Sequence, residues 1–217
     1  MRRSIAQRTG RLLRPERQLN RDGYRLIAGV DEAGRGPLAG PVVAGAVILR
    51  NTSFTHAIDD SKKLSAGKRE KAFEEILKKA DVGIGIVNEK TIDRINIHRA
   101  TKKAMELAMS KLSQKPHYVI VDGIMKIRTR CPIRTIIGGD SKCLSIAAAS
   151  IVAKVTRDRI MGWYDELYPQ YGFARHKGYP TKAHKSALKL HGPSPIHRRS
   201  YRPVRESDRP NLRGSVG

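Results

Sequence analysis

The chain has 217 residues, 39% of them hydrophobic and 29% charged, enough to bury a core without staples, which excludes the disulfide-linked miniproteins and wholly disordered chains. Forty-three Lys and Arg stand against twenty Asp and Glu, a net charge of +23 that makes nucleic acid the first partner to consider. The longest apolar run, around Pro41 to Leu49, falls far short of the ~20 residues a membrane span needs, so no membrane partner is expected.

The first 25 residues hold eight Arg and two acids. This composition predicts a basic, mobile arm over residues 1–23, with organellar import as the lesser alternative. A body follows over 24–204, read as one domain, and an Arg- and Pro-containing flexible tail over 205–217. Within the body, Leu26 to Val30 and Val42 to Leu49 are apolar, β-branched and bounded by Gly or Pro, so each predicts a strand. Ser65 to Lys79 places Phe73, Ile76 and Leu77 at helical spacing behind an N-cap serine. Val82 to Val87 predicts a third strand, and Arg94 to Leu112 a helix with Ile97, Ala100, Ala104 and Ala108 on one face. Tyr118 to Val121 and Arg134 to Ile137 are two further short strands. A long helix over Ser141 to Leu167 carries small residues for close packing, and Lys182 to Leu190 is a last short one. The order predicts an α/β domain with a mixed five-stranded sheet flanked by helices and a C-terminal helical portion.

Cys131 and Cys143 are the only cysteines and lack paired spacing, which fits a reducing compartment and a cytoplasmic location. They read as small hydrophobes. The seven His show no zinc spacing, and His184 and His191 read as phosphate-side or surface groups. Asp59 and Asp60, before Ser61, Lys62 and Lys63, read as a charged surface turn.

The unusual segment is IAGVDEAGRGPLAGP from Ile27 to Pro41, a strand that ends on two adjacent carboxylates and enters a glycine-rich turn. A phosphate-loop reading fails, because Arg35 and Gly36 replace the Lys and hydroxyl and two acids would repel a phosphate there. A dinucleotide-loop reading fails too, since a strand-like PVVAGAVIL follows instead of a helix. A second strand, YVIV, ends on Asp122. If the two strands are parallel neighbours, Asp31 and Asp122 emerge at one carboxyl edge, where α/β sheets place ligands. Such oxygen donors beside nucleic acid favour Mg²⁺ or Mn²⁺. Glu32 contributes only if the strand has bent, since neighbouring strand residues face opposite ways. Asp140 precedes the long helix and would also serve as its N-cap; Asp158 is a rival acid. The two lie 18 residues apart, about 27 Å along a helix, so one metal site cannot hold both.

Several segments together resemble type 2 ribonuclease H in its bacterial form, ribonuclease HII: IAGVDEAGRGPLAGPVVAGAVIL, DDSKKLS, INIHRATKKAM, VIVDG, GGDSKCLSIAAASIVAKVTRD, and HKGYPTKAHKSAL through HGPSPIHRRSY. The resemblance spans about Tyr24 to Val204. It implies a ribonuclease-H-like domain that cuts the RNA strand of RNA/DNA hybrids and nicks 5′ of ribonucleotides embedded in duplex DNA, using two divalent ions, Mg²⁺ or Mn²⁺. It implies a role in removing RNA primers and misincorporated ribonucleotides. The chain is expected to be a monomer. The family's four acids fall on Asp31, Glu32, Asp122 and Asp140, which resolves the helix rivalry in favour of Asp140. Its substrate-sensing segment falls on Gly34, Arg35 and Gly36, and its stacking tyrosine on Tyr179. Departures are Pro180, where some relatives have Gly, Tyr201 in place of a common Phe, and longer basic ends. A basic RNA-binding or ribosome-associated protein would suit the charge but leaves the strand-end acids unexplained, and a junction resolvase would not need a 2′-hydroxyl sensor.

Overall fold

Strands β1 (Ile27–Ala33), β2 (Val42–Leu49) and β3 (Ala80–Val87) form an antiparallel meander. On the other side of β1, strands β4 (Tyr118–Asp122) and β5 (Ile133–Ile136) add in parallel, giving the order β3-β2-β1-β4-β5. This is the mixed five-stranded sheet that the alternation of apolar runs predicts. The computed structural model describes residues 2–207, with side chains from residue 5. Strand β2 reads VVAGAVIL and is buried along almost its whole length. Helices cover both its faces, so it carries a continuous apolar run instead of an alternating one.

Helices α3 (Ala66–Lys79) and α5 (Leu144–Leu167) cover one face, where Phe73, Ile76, Val47, Ala148 and Ile151 share a core. On the opposite face α4 (Glu89–Ser110) packs Ala100, Ala104 and Met105 against Val30, Val42 and Ala44. The small residues predicted on α5 to allow close packing do so: Ala147, Ala148 and Ala149 are buried, and a Cβ on Gly45 of β2 would collide with the Ala149 carbonyl. Beyond α5 the chain turns through α6 (Phe173–His176) and α7 (Lys182–His191) to α8 (Arg202–Ser207). This C-terminal portion docks on the Gly34–Pro41 loop through Leu38 and Ala39, which pack with Leu188 and Val204 and with Met161, Tyr171 and Phe173 respectively.

Four local expectations are corrected. Helix α4 begins at Glu89, before the expected Arg94, with Asn88 Oδ1 accepting from Thr91 N at 3.0 Å. A break at Asn96 (φ 64°, ψ 164°) follows, and the Asn96 side chain caps the restart by accepting from Arg99 N at 3.0 Å, so the apolar period shows only the second half. Ser65 occupies the N-cap position of α3 but its hydroxyl makes no capping bond. The basic N-terminal segment, read as a mobile arm, instead folds as α1 (Arg2–Leu12) and α2 (Arg14–Arg21). Leu12 and Leu13 enter the α3/α5 core, and Leu19 packs on Ile27 and Ile146. A few leucines among arginines give too thin an apolar stripe to stand out in sequence, yet tertiary packing suffices to hold the helices. Helix α8 takes the first residues of the expected tail; residues 208–217 lie outside the described ones. Among the described residues no helix is long and apolar enough to cross a membrane.

Candidate active site

The parallel register sets Val30 level with Val121, so the next residues, Asp31 and Asp122, stand together at the carboxyl edge. Alternation turns both toward the α5 face, where Ile27 and Ile120 pack on Ile146. Glu32 is still paired with Ala44 of β2, so β1 has not left the sheet. Strand β4, however, has ended at Asp122, and Glu32 feels the charge of Asp122 while Asp31 feels those of both Glu32 and Asp122. Asp140 arrives on a 3₁₀ turn, Gly139–Ser141, entered through a left-handed Gly138 (φ 65°, ψ 38°). The Gly139 N–H donates to Asp122 Oδ1 at 2.6 Å, tying that turn to β4. The N-cap position of α5 belongs to Cys143, so the capping role that sequence allowed for Asp140 is not the one it has.

The electrostatics are those of acids short of counter-charge. Burial, and then the charges of Glu32 and Asp122, push the Asp31 pKa well above the ordinary carboxylate value. Burial likewise raises Glu32, against the pull of Arg35, whose Nη1 lies 3.4 Å from Glu32 Oε1. Asp140 is raised by burial and by Asp60 and Asp122, against Lys62. The Lys62 ammonium in turn is held protonated by Asp140, Asp60, Asp31 and Asp122, which together outweigh its own burial. An oxygen-only donor set of this kind suits a hard divalent cation such as Mg²⁺ or Mn²⁺. Among the described residues no three His, Cys, Asp or Glu converge at ligating distance. Asp158 is occupied elsewhere, bound by Lys154 Nζ at 2.5 Å and facing Arg69 at 3.7 Å.

Beside the acids runs the glycine-rich loop. Gly34 sits at φ +97°, and a Cβ there would collide with the Arg157 side chain, so only glycine fits. Gly36 is different: a Cβ would meet only Tyr179 Cε1, at 3.7 Å. Internal packing does not require glycine at 36, and the open space lies next to a tyrosine ring that is 43% exposed. Gly34, Arg35, Gly36 and Tyr179 therefore line one place beside the acid cluster.

A family model for ribonuclease HII matches residues 28–204. The chain belongs to the ribonuclease HII family. That membership makes it a metal-dependent endonuclease. The chain is 51% identical over 192 residues to the ribonuclease HII of Syntrophotalea carbinolica, covering 88% of this chain and 92% of the relative. Among solved structures it is similar to ribonuclease H2 from Pyrococcus horikoshii OT3, with TM-score 0.73, 28% identity, and 85% of this chain and 97% of that one covered. The fold is also shared by Bst-RNase HIII in complex with Mn²⁺, at TM-score 0.62 and 14% identity, covering 84% and 68% of the two chains.

Around this ribonuclease HII site the structure adds groups that sequence reading passed over or misplaced. Asp59 is buried and ion-paired with Arg8 rather than lying on a surface turn, and Asp60 and Lys62 face Asp140. Ser61 Oγ accepts from Ser150 Oγ of α5 at 2.9 Å, which anchors this turn. His184 is fully buried, not a surface group. Because Ser194 N–H donates to His197 Nδ1 at 2.9 Å, the neutral His197 proton sits on Nε2 and donates to His184 Nε2 at 3.0 Å. His184 Nδ1–H then donates to the Tyr179 carbonyl at 2.8 Å, so two buried histidines hold the backbone of Tyr179. Burial drives their pKa values down, to about 4 for His184 and about 3 for His197. Cys143 is an inert thiol, pushed by burial up to about 12.

Proposed function

We propose that this chain hydrolyses the RNA strand of RNA/DNA hybrids and nicks 5′ of ribonucleotides embedded in duplex DNA, so removing RNA primers and misincorporated ribonucleotides. The observation that carries the reading is the meeting of the Asp31, Glu32, Asp122 and Asp140 cluster with a loop whose open glycine faces an exposed tyrosine. The four carboxylates would hold two divalent ions, Mg²⁺ or Mn²⁺. When bound, such ions lower the pKa of an attacking water and offset charge on the leaving 3′ oxygen.

The protein's own groups do the rest. Asp122, fixed by Gly139 N–H, and Asp31 keep the donor set in register with the sheet edge. Without a side chain at 36, the backbone around Arg35 can approach a 2′-hydroxyl, the group that distinguishes RNA from DNA. Tyr179 offers its ring to the adjoining sugar or base. Its backbone is held by the histidine pair, so the ring is presented from a fixed position.

The test is incubation with Mg²⁺ or Mn²⁺ and duplexes carrying one ribonucleotide, four ribonucleotides or none. Incision 5′ of the single ribonucleotide is expected, and none without divalent ion. Gly36→Val should lower the rate on the order of 10²-fold by pushing the strand off the acids, and Tyr179→Ala should weaken discrimination more than stability. Equal cutting of the all-deoxy duplex, or cutting of the four-ribonucleotide stretch alone, refutes sensing at a junction.

A further inference from the structure

Two arginines are completely buried behind the glycine loop, Arg157 of α5 and Arg198 of the C-terminal portion. All the hydrogen bonds that they make among the described residues go to backbone carbonyls, save one to a tyrosine hydroxyl. Arg157 donates to Pro41 O at 2.9 Å, Ala39 O at 3.1 Å and Lys177 O at 2.9 Å. Arg198 donates to Gly34 O at 2.6 Å, to Arg35 O at 3.0 Å and twice to Gly40 O, at 3.0 and 2.8 Å. Its Nη1 also donates to Tyr201 Oη at 3.0 Å, and that hydroxyl in turn donates a hydrogen bond to Arg35 O at 2.8 Å. Burying two guanidiniums side by side with no carboxylate bonded to either is costly, and every carbonyl they hold except that of Lys177 belongs to the Gly34–Pro41 loop.

That orientation has a direct consequence. In a trans peptide the carbonyl of one residue and the N–H of the next point in opposite directions. With the Gly34 and Arg35 carbonyls held inward on Arg198 and Tyr201, the N–H groups of Arg35 and Gly36 are turned away from that buried guanidinium, and the space beside Gly36 is open up to the Tyr179 ring. We propose that Arg198 and Tyr201 are positioning residues for sugar discrimination, fixing the Gly34 and Arg35 carbonyls so that the next two N–H groups meet the 2′-hydroxyl. Neither residue touches the substrate. The inference rests on the reading of Gly34 to Gly36 as the ribose sensor and names what aims it.

The experiment measures kcat and KM on the one-ribonucleotide duplex with Mn²⁺, and the inhibition constant of the all-deoxy duplex as competitor, for wild type and three variants. Tyr201→Phe keeps the ring and its stacking on Arg198, 5.2 Å away, and loses only the hydroxyl. It should lower kcat about 3- to 10-fold, the size of one hydrogen bond, and narrow the preference for ribose with thermal stability little changed. Arg198→Ala should lower kcat on the order of 10²-fold, and millimolar ethylguanidinium should restore part of it while leaving wild type unaffected. Arg198→Lys, with charge but no fork, should stay impaired. The proposal is overturned if folded Tyr201→Phe and Arg198→Ala keep the wild-type kcat and preference, or if guanidinium rescues nothing. Should Arg198→Ala fail to fold, Tyr201→Phe decides alone. Wild type that binds ribose and deoxyribose duplexes equally would instead remove the sensor reading itself.

Discussion

Asp31 is the residue at which function and stability pull apart most clearly. It is 5% exposed, flanked by Glu32 and Asp122, and its carboxyl is held well above the usual range. A carboxyl whose folded pKa is raised stabilises the fold while protonated and loses that contribution as pH rises through the folded pKa. Metal-free protein at neutral pH therefore carries a cost that Asp31→Asn removes. In excess chelator, Asp31→Asn should melt a few degrees above wild type, the shift of ~1 kcal/mol in a protein of this size, and a lower midpoint would contradict the acid-crowding account. Activity moves the other way. Asp31→Asn and Asp122→Asn should abolish cleavage while duplex binding persists, and Asp140→Asn should impair it strongly. Asp158→Asn should leave cleavage intact, since Asp158 is tied to Lys154 and Arg69; assays of cleavage and binding on one hybrid settle the order.

Among the elements, the last two connections to the loop are the ones with a pH response. His184 and His197 are neutral when folded and resist protonation down to about 4 and about 3, whereas unfolded histidine protonates near 6.5. Their contribution to stability is complete above about pH 6.5 and is lost progressively as pH falls toward those values. Protection factors of the Gly178, Tyr179 and Thr181 amides, corrected for the intrinsic pH dependence of exchange, should fall on going from pH 7 to pH 5 more than those in β1 or β2. If all these regions respond alike, the histidine pair does not govern the Tyr179 segment. Helix α2 docks through one carboxylate: Glu16 Oε1 accepts from Ser145 N at 2.9 Å and Ser145 Oγ at 2.8 Å. This places an acid on the first turn of α5, where exposed N–H groups need an acceptor. Glu16→Ala should cost about 1–2 kcal/mol, read from denaturant unfolding, with the specificity of cleavage unchanged.

At the scale of the whole molecule the charge of +23 has a fixed scaffold to act from. Arg11, Arg14, Arg17 and Arg21 lie exposed on α1 and α2, while Leu12, Leu13 and Leu19 of the same helices are buried. Deleting these helices would remove core as well as charge, so the informative change keeps the leucines. Replacing those four arginines by Gln should weaken hybrid binding and flatten the dependence of log K on log salt, because fewer counterions are released. The cut position should not move. An unchanged salt slope would show that the duplex does not reach these helices.

What sequence alone determines here is local. The strand-end position of Asp122, the existence of the five strands and the helical spans of α3 and α5 follow from period-2 and period-3.6 patterns and from turn residues, all written within a few positions of one another, whereas the strand order and the extension of β1 past Asp31 to Ala33 do not. The resemblance segments supply the roles of Gly34 to Gly36 and of Tyr179, which periodicity could not. Tertiary structure decides the rest, because the partners are distant in the chain. Glu16 meets Ser145 across 129 positions, Arg198 meets the Arg35 carbonyl across 163, and Arg8 meets Asp59 across 51. A buried arginine bonded to carbonyls looks in sequence like any surface arginine, and His184 like any helix-surface histidine. Their roles appear only when packing removes them from water and leaves backbone carbonyls as their main partners.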